Sequence, residues 1–233
     1  VSILVFCPTR GRPDKLLEAA SSLVSTRRLG DTELIAVLDI DDPTANAYMH
    51  TNSSYRWLQI EHGGGMVAAL NAAAARVIET EPGPTIFGFI GDDHRFRTDG
   101  WDMEIKRALA EPGFAYGHDL YWRGGEIPTQ VFISRSIVEA LGYFALPTCH
   151  HLWVDNAWKA LGDATDSIHW LPDVVIEHMH YTVGKSEEDE GYRRVNSPEM
   201  YGSDRRAFEQ WLHSEAFRDD VAKVRGALEA IAA

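Results

Sequence analysis

Apolar runs of strand length alternate with helical stretches through the first half of the chain. This alternation limits the possible folds more than any other feature. Residues 2–7 are almost continuously apolar, as expected of a strand covered on both faces. PTRGRP follows. A helix is expected from about Pro13, where Leu16, Leu17, Ala20, Leu23 and Val24 recur at helical spacing. Proline suits a first helical turn. ELIAVL, residues 33–38, reads as a second strand that runs into Asp39, Asp41 and Asp42, and RWLQIE reads as a third. After three glycines, Val67, Leu70, Ala74, Val77 and Ile78 share a helical face, and Ile86 to Ile90 form a fourth strand. Strand–helix alternation predicts an α/β fold, a mostly parallel sheet flanked by helices.

The second half is less regular. GFAYGHDLYW and TQVFIS read as strands, antiparallel in arrangement, and SRSIVEALG as a short helix ended by Gly142. WVDNAWKALG reads as a helix, IHWLPDVVIEHMHY as a long strand interrupted by Pro172, and KSEEDEGYRR as a charged loop. From about Ser203, Phe208, Trp211, Leu212, Val221, Val224, Leu228 and Ile231 keep helical spacing. They describe a C-terminal tail of one helix, or two broken near Ser214. It packs on the body or joins a partner copy in a homo-oligomer.

Composition narrows the function classes. The chain has 233 residues, 45% hydrophobic, and a net charge of −13, a poor electrostatic match for long nucleic acid. The pairs Arg193–Arg194 and Arg205–Arg206 are the candidates for a local basic patch. Two cysteines, Cys7 and Cys149, give no disulfide framework or zinc cluster and suit a reducing compartment. No apolar run approaches the ~20 residues of a membrane span. VSILVFC lacks the basic start and cleavage site of a signal peptide. The expected location is cytoplasmic.

Three constellations carry chemistry. IFGFIGDDHRF ends a buried strand in adjacent acids, Asp92 and Asp93. Like charges held close repel, and a divalent cation relieves that penalty, although Gly-Asp is also ordinary turn chemistry. In EHMH, His178 and His180 share a strand face, as metal or phosphate ligands or as plain surface histidines. In HHLWVDNAWKALG, Asp155 lies near a helix start, where the dipole favours its ionised form; it is a helix cap or a general base. Trp153 beside it, and Trp122, offer flat apolar faces of the kind a sugar ring packs on.

The order of these motifs resembles the family-2-like nucleotide-sugar glycosyltransferases of the GT-A fold. The resemblance spans roughly residues 3–185 and rests on the first strand with PTRGRP, AVLDIDD, HGGGMVAALNAA, FIGDD and VDNAWKALG. It implies that Asp39 touches the nucleobase, that Thr9 and Arg10 flank the nucleotide, and that Pro8 and Gly65 line the same site. It implies a Mn²⁺ or Mg²⁺ ion on the donor diphosphate, held by Asp93 with Asp92 beside it and completed by His178 or His180. Lys185 or Arg10 adds positive charge at the diphosphate. Asp155 deprotonates the acceptor, and inversion follows if it acts in line. The usual acid–any–acid motif reads Gly91-Asp92-Asp93 here, so its first acid is missing. The expected donor is a UDP-sugar. The acceptor is a glycan, a small molecule or a modified nucleic acid base. The expected domain runs over residues 1–200, with a nucleotide-binding half to about 95 and an acceptor half beyond, followed by a helical extension from 201 to 233.

Three other readings compete. Gly63, Gly65 and Ala68 fit a loose dinucleotide fingerprint, but the preceding RWLQIE alternates, and the next strand-end acid, Asp92, comes late for an oxidoreductase. A non-catalytic sugar- or nucleotide-binding module would need no base at Asp155. A metal-dependent phosphohydrolase would need a second dense ligand set, which the sequence lacks.

Overall fold

The computed structural model describes residues 2–49, 54–61, 65–121 and 125–230. The elements run β1 (Ser2–Thr9), α1 (Pro13–Thr26), β2 (Thr32–Asp39), α2 (Ala45–Met49), β3 (Arg56–Ile60), α3 (Gly65–Thr80), β4 (Pro84–Phe89) and β5 (His94–Phe96). They continue with α4 (Trp101–Ala108), β6 (Phe114–His118), β7 (Val131–Ser134), α5 (Arg135–Leu141), α6 (Val154–Thr165) and β8 (Ile168–His178). A 3-10 turn (Tyr181–Val183), α7 (Glu190–Val195), α8 (Pro198–Leu212) and α9 (Glu215–Glu229) follow.

The strands form one sheet in the order β3-β2-β1-β4-β7-β6-β8-β5. The four on the β3 side are mutually parallel. β7 runs antiparallel to both β4 and β6, β8 pairs parallel to β6, and β5 runs antiparallel to β8. Successive residues of β1 are buried on opposite faces, as the two-residue period of a covered strand requires. Leu4 and Phe6 join a core with residues of α3, α5, α6, α8 and α9, whereas Ile3, Val5 and Cys7 join one with α1 and α4.

Two sequence expectations change. Pro172 does not interrupt the strand. β8 is continuous, and the chain bulges between Leu171, paired with Gly117, and Val175, paired with His118. A bulge is where a strand tolerates a residue without an N–H. The charged loop KSEEDEGYRR is a loop only as far as Asp189, whose side chain accepts from the Tyr192 N–H and caps α7.

The tail is two helices, separated where Ser214 caps α9 by accepting from the Phe217 N–H. Phe208, Trp211, Val224 and Ala227 are buried in the core on the α5 and α6 side of the sheet, so this apolar stripe is used within the chain. Ile231 lies outside the described residues. Asp220 ties the tail down further. Its buried Oδ2 accepts from the Tyr143 hydroxyl at 2.6 Å and from Trp211 Nε1 at 3.0 Å. Among the described residues no helix is long and apolar enough to cross a membrane.

Asp220→Ala leaves both donors without their acceptor. An unpaired buried donor costs on the order of 1–3 kcal/mol, so a total loss of about 2–3 kcal/mol is expected. Urea unfolding measures it as a lower midpoint at an unchanged slope; a wild-type midpoint would show that Asp220 anchors nothing.

Candidate functional site

The carboxyl ends of β1, β2 and β4 lie on one edge of the parallel half of the sheet, and the loops that follow them face one another. After β1, Thr9 donates its hydroxyl to Asp92 Oδ2 at 2.7 Å. Arg10 pairs with Asp39 at 3.2 Å and Asp41 at 2.6 Å. Gly11 takes the left-handed conformation at φ 72°, and its N–H meets Asp42 Oδ2 at 3.2 Å. The next residue, Arg12, donates its backbone N–H to the Tyr48 hydroxyl at 2.7 Å and its Nη1 to Asp92 Oδ1 at 3.2 Å. Pro8 sits within β1, opposite Val37.

The adjacent acids diverge. Asp92 faces Thr9 and Arg12. Asp93 faces the other way: its Oδ2 accepts from the Tyr192 hydroxyl at 2.6 Å and lies 3.2 Å from His178 Nε2, while its Oδ1 is 3.4 Å from His94 Nδ1. Both carboxylates are buried. Burial first, and the neighbouring Asp93 second, raise the pKa of Asp92, and Arg12 only partly offsets them. Asp93 ends well below the ordinary carboxylate range: burial opposes ionisation, but His178 and His94 outweigh it. The charge crowding apparent in the sequence is thus met inside the chain, by Arg12 on one side and imidazoles on the other.

The missing first acid of the motif has a steric reason. A Cβ at Gly91 would stand 2.5 Å from Asp93 Oδ1, so a side chain there would displace the carboxylate. The Gly91 N–H also donates to His94 Nδ1 at 3.1 Å.

His94 is brought in by the sheet. In the β5–β8 pairing it stands directly opposite His178, and the two rings stack with centroids 4.4 Å apart. Ligand atoms of Asp93, His94 and His178 lie within 4.8 Å of one another. Two buried nitrogens in this group, His94 Nε2 and His178 Nδ1, have no hydrogen-bond partner among the described residues. A carboxylate with two imidazoles suits a divalent cation of borderline softness such as Mn²⁺.

The other expected residues fall as follows. His180 stands beside this group, not in it. Its ring is 5.0 Å from that of His178, its Nδ1 is 2.8 Å from the Thr182 hydroxyl, and burial and then His178 lower its pKa to about 4. Lys185 is engaged by Glu177 at 2.9 Å and the Leu120 carbonyl at 3.1 Å. Gly65 opens α3 at φ 76°, against the His150 carbonyl, which a Cβ would meet at 3.0 Å. Asp155 is the second residue of α6 and half-buried, and its Oδ1 accepts from the Asn156 N–H at 2.9 Å. Burial raises its pKa to about 6 against that hydrogen bond and against the charge of His178, which therefore acts on both Asp93 and Asp155. Trp153 does not offer a bare face. Its ring stacks on Phe208 at 5.5 Å and meets Tyr201 edge-on at 5.6 Å. Trp122 and Gly63 lie outside the described residues.

Arg12 joins the site, and three residues complete it without having been singled out: His94, Asp189 and Tyr192. Asp189 pairs with Arg12 and, at 3.0 Å, with Lys15. Burial opposes its ionisation, but the Tyr192 N–H and these cations hold its pKa at about 2. The Arg12 guanidinium lies 4.5 Å from the centre of the Tyr192 ring. His94 follows the acid pair directly, which is its one sequence signal; Tyr192 has none, because it arrives from 99 residues away.

Neither a protein-family model nor a curated protein matches the sequence. Solved structures do match. A mannosyltransferase from Pyrobaculum calidifontis in complex with GDP-Man and Mn²⁺ superposes with a TM-score of 0.57 at 17% identity, over 99% of this chain and 74% of that one. Residues 1–349 of TarS from S. aureus, in complex with UDP-GlcNAc, give 0.62 at 14% identity, over 97% and 72%. Glucosyl-3-phosphoglycerate synthase from Mycobacterium tuberculosis, with Mn²⁺, UDP and phosphoglyceric acid, gives 0.59 at 14%, over 89% and 78%. The chain has the GT-A fold. At such identities the GT-A likeness lies in the arrangement of strands and helices, not in shared residues. In open α/β sheets of this kind, ligands bind beyond the carboxyl ends of the strands, where Thr9, Asp39 and the acid pair stand.

Gly91→Ala forces its methyl group against Asp93 Oδ1. Overpacking of this kind costs about 1–3 kcal/mol. A thermal melt checks it; an unchanged melting temperature would mean that Asp93 gives way without cost.

Proposed function

We propose that the protein is a metal-dependent glycosyltransferase that moves a sugar from a nucleotide-sugar donor to a hydroxyl acceptor. One observation carries this reading: in a GT-A fold, ligand atoms of Asp93, His94 and His178 lie within 4.8 Å of one another at the carboxyl edge of the sheet. Asp93, His178 and His94 would hold the ion, with Mn²⁺ favoured over Mg²⁺ by the imidazoles. Bound there, the metal supplies Lewis-acid neutralisation of the leaving diphosphate. His180 then belongs to the wall of the site.

The chain's own residues do the rest. Asp39, next to Arg10, contacts the nucleobase or ribose, and Pro8, Thr9 and Gly65 shape the pocket. Arg12 supplies a positive charge next to Asp92, on the side where a diphosphate would lie; Lys185 is a weaker candidate for that task, being tied to Glu177. Asp155 takes the proton of the acceptor hydroxyl as its oxygen bonds to the anomeric carbon and the bond from that carbon to the diphosphate oxygen breaks. Attack opposite the leaving group gives inversion. UDP is the preferred nucleotide, since two of the neighbouring structures hold UDP or a UDP-sugar and one holds GDP-mannose. The alternative is a non-catalytic nucleotide- or sugar-binding module. It is favoured by the bond from the Asn156 N–H to Asp155, which satisfies one of the open N–H groups in the first turn of α6.

A thermal-shift screen of nucleotide sugars with and without Mn²⁺ tests the donor reading. A ligand at 100 times its Kd adds about 2.7 kcal/mol of stability. Stabilisation by none of them would leave the proposal without a donor. Asp93→Ala should abolish Mn²⁺-dependent UDP binding in calorimetry while the far-ultraviolet spectrum stays wild type. Unchanged UDP affinity would remove Asp93 from the metal shell.

Asp155→Asn should lower turnover by about 10²- to 10⁴-fold with donor affinity kept. The pH dependence has a definite sign. The Asp155 pKa is raised to about 6, so the base is protonated below that value, and wild-type turnover falls as pH drops through about 6. Stability runs the other way: the burial of Asp155 favours folding while it is protonated, and this contribution is lost as pH rises from about 4 through 6. The melting temperature of the Asn variant at pH 7.5 is therefore at or above that of the wild type. A binding module predicts no turnover to lose, and a simple cap predicts full turnover in the variant.

A further inference from the structure

We propose that Asp204, on α8, is a positioning residue that seats the Asp155 carboxylate at the acceptor side of the site. The inference rests on the reading of Asp155 as the acceptor base. Asp204 is fully buried. Its Oδ1 accepts from the His150 N–H at 3.0 Å, and its Oδ2 accepts from the His151 N–H at 2.8 Å and the Leu152 N–H at 2.7 Å. His150 Nδ1 lies 3.3 Å from the same Oδ1, and the Asp204 carbonyl accepts from Cys149 Sγ at 3.8 Å. A buried carboxylate is costly unless its oxygens are matched, and here successive backbone donors match it.

Those donors belong to the loop that leads into α6. Two residues separate Leu152 from Asp155, and the first of them, Trp153, is held in the left-handed conformation at φ 67°. No side chain caps α6 at Trp153, so the helix start takes its orientation from what grips the loop. The grip comes from one face of α8. Tyr201, Asp204, Arg205 and Phe208 follow one another at helical spacing. Tyr201 and Phe208 pack on the Trp153 ring, and the Arg205 guanidinium lies 5.8 Å from its centre. On its other side the loop is held by α3. The Val67 N–H donates to the His150 carbonyl at 3.1 Å, and Asn71 Oδ1 accepts from the Phe144 and Ala145 N–H groups at 2.8 Å each. Helix α8 thus acts as a clamp on the base, through the loop.

Hydrogen exchange and turnover test the clamp together. In the wild type, the amides of His150, His151 and Leu152 should exchange as slowly as those of β1. In Asp204→Asn they should exchange at least about tenfold faster while the β1 amides are unchanged. Fast exchange in the wild type, or equal exchange in the variant, overturns the clamp, and the wild-type arm stands even if the variant does not fold. Turnover is read as UDP release from UDP-glucose into water with Mn²⁺. In that reaction the bond from the anomeric carbon to the diphosphate oxygen breaks, its electron pair staying on the phosphate oxygen. Water oxygen bonds to the anomeric carbon, and its proton passes to Asp155. Asp204→Asn should lower kcat about 10- to 100-fold, the effect of misplacing a reacting group by about 1 Å, with UDP affinity within twofold of wild type. In an Asp155→Asn background it should cause no further loss. Wild-type kcat in Asp204→Asn overturns the inference, as does the same loss with and without Asp155. A wild type inert towards UDP-glucose counts against the transferase reading, and the clamp is then decided by the exchange rates.

Discussion

The antiparallel pairing of β5 with the end of β8 is the contact on which the site depends. β5 has only three residues, yet it sets His94 against His178 directly after Asp93. A second backbone bond holds the same corner: the Met179 N–H donates to the Asp93 carbonyl at 2.8 Å. Side chains opposite each other across antiparallel strands are close by construction. The turn Gly91–Asp93 then needs only to fold the carboxylate back, which the absence of a side chain at Gly91 permits. The convergence of Asp93, His94 and His178 is in this sense a property of strand register.

Around that corner the charges are arranged in pairs. Arg12 faces both Asp92 and Asp189, and Tyr192 caps Asp93 from α7. Burial and the nearby Asp93 charge raise the pKa of Tyr192, so its hydroxyl remains a donor to the carboxylate. Buried charges require partners of this kind, because an isolated one would lose its ionisation instead. The segment after β8 is therefore part of the electrostatics of the site as well as of its wall.

The C-terminal helices are bound to the body by two buried carboxylates in addition to apolar packing. Asp220 holds Tyr143 and Trp211, and Asp204 holds the loop before α6. Both would be costly without their donors, which makes the docking specific in orientation where apolar contact alone would tolerate slippage. What the periodicity of Phe208, Trp211 and Val224 announced as a packed stripe is also the support of the segment that carries Asp155.

Much of the fold was legible in the sequence, because burial on both faces forces continuous apolar runs and amphipathic helices force a 3.6-residue period. Strands β1, β2 and β4, helices α1 and α3, the break at Ser214 and the acid pair at a strand end are all local patterns of this kind. The likeness of motif order to GT-A enzymes added the fold by name. The sequence did not show which way each acid points, why Gly91 replaces the usual acid, that His94 joins His178 while His180 turns to Thr182, or that Trp153 is covered by Phe208. The bulge at Pro172 and the helical end of the charged loop were misjudged for the same reason. Each depends on partners distant along the chain: Asp93 meets His178 across 85 residues, Arg12 meets Asp189 across 177, and Asp204 meets Leu152 across 52. Periodicity records whether a side chain is buried. Only the tertiary structure decides against which partner, because hydrogen bonds and ion pairs are directional and short-ranged while the hydrophobic pattern is neither.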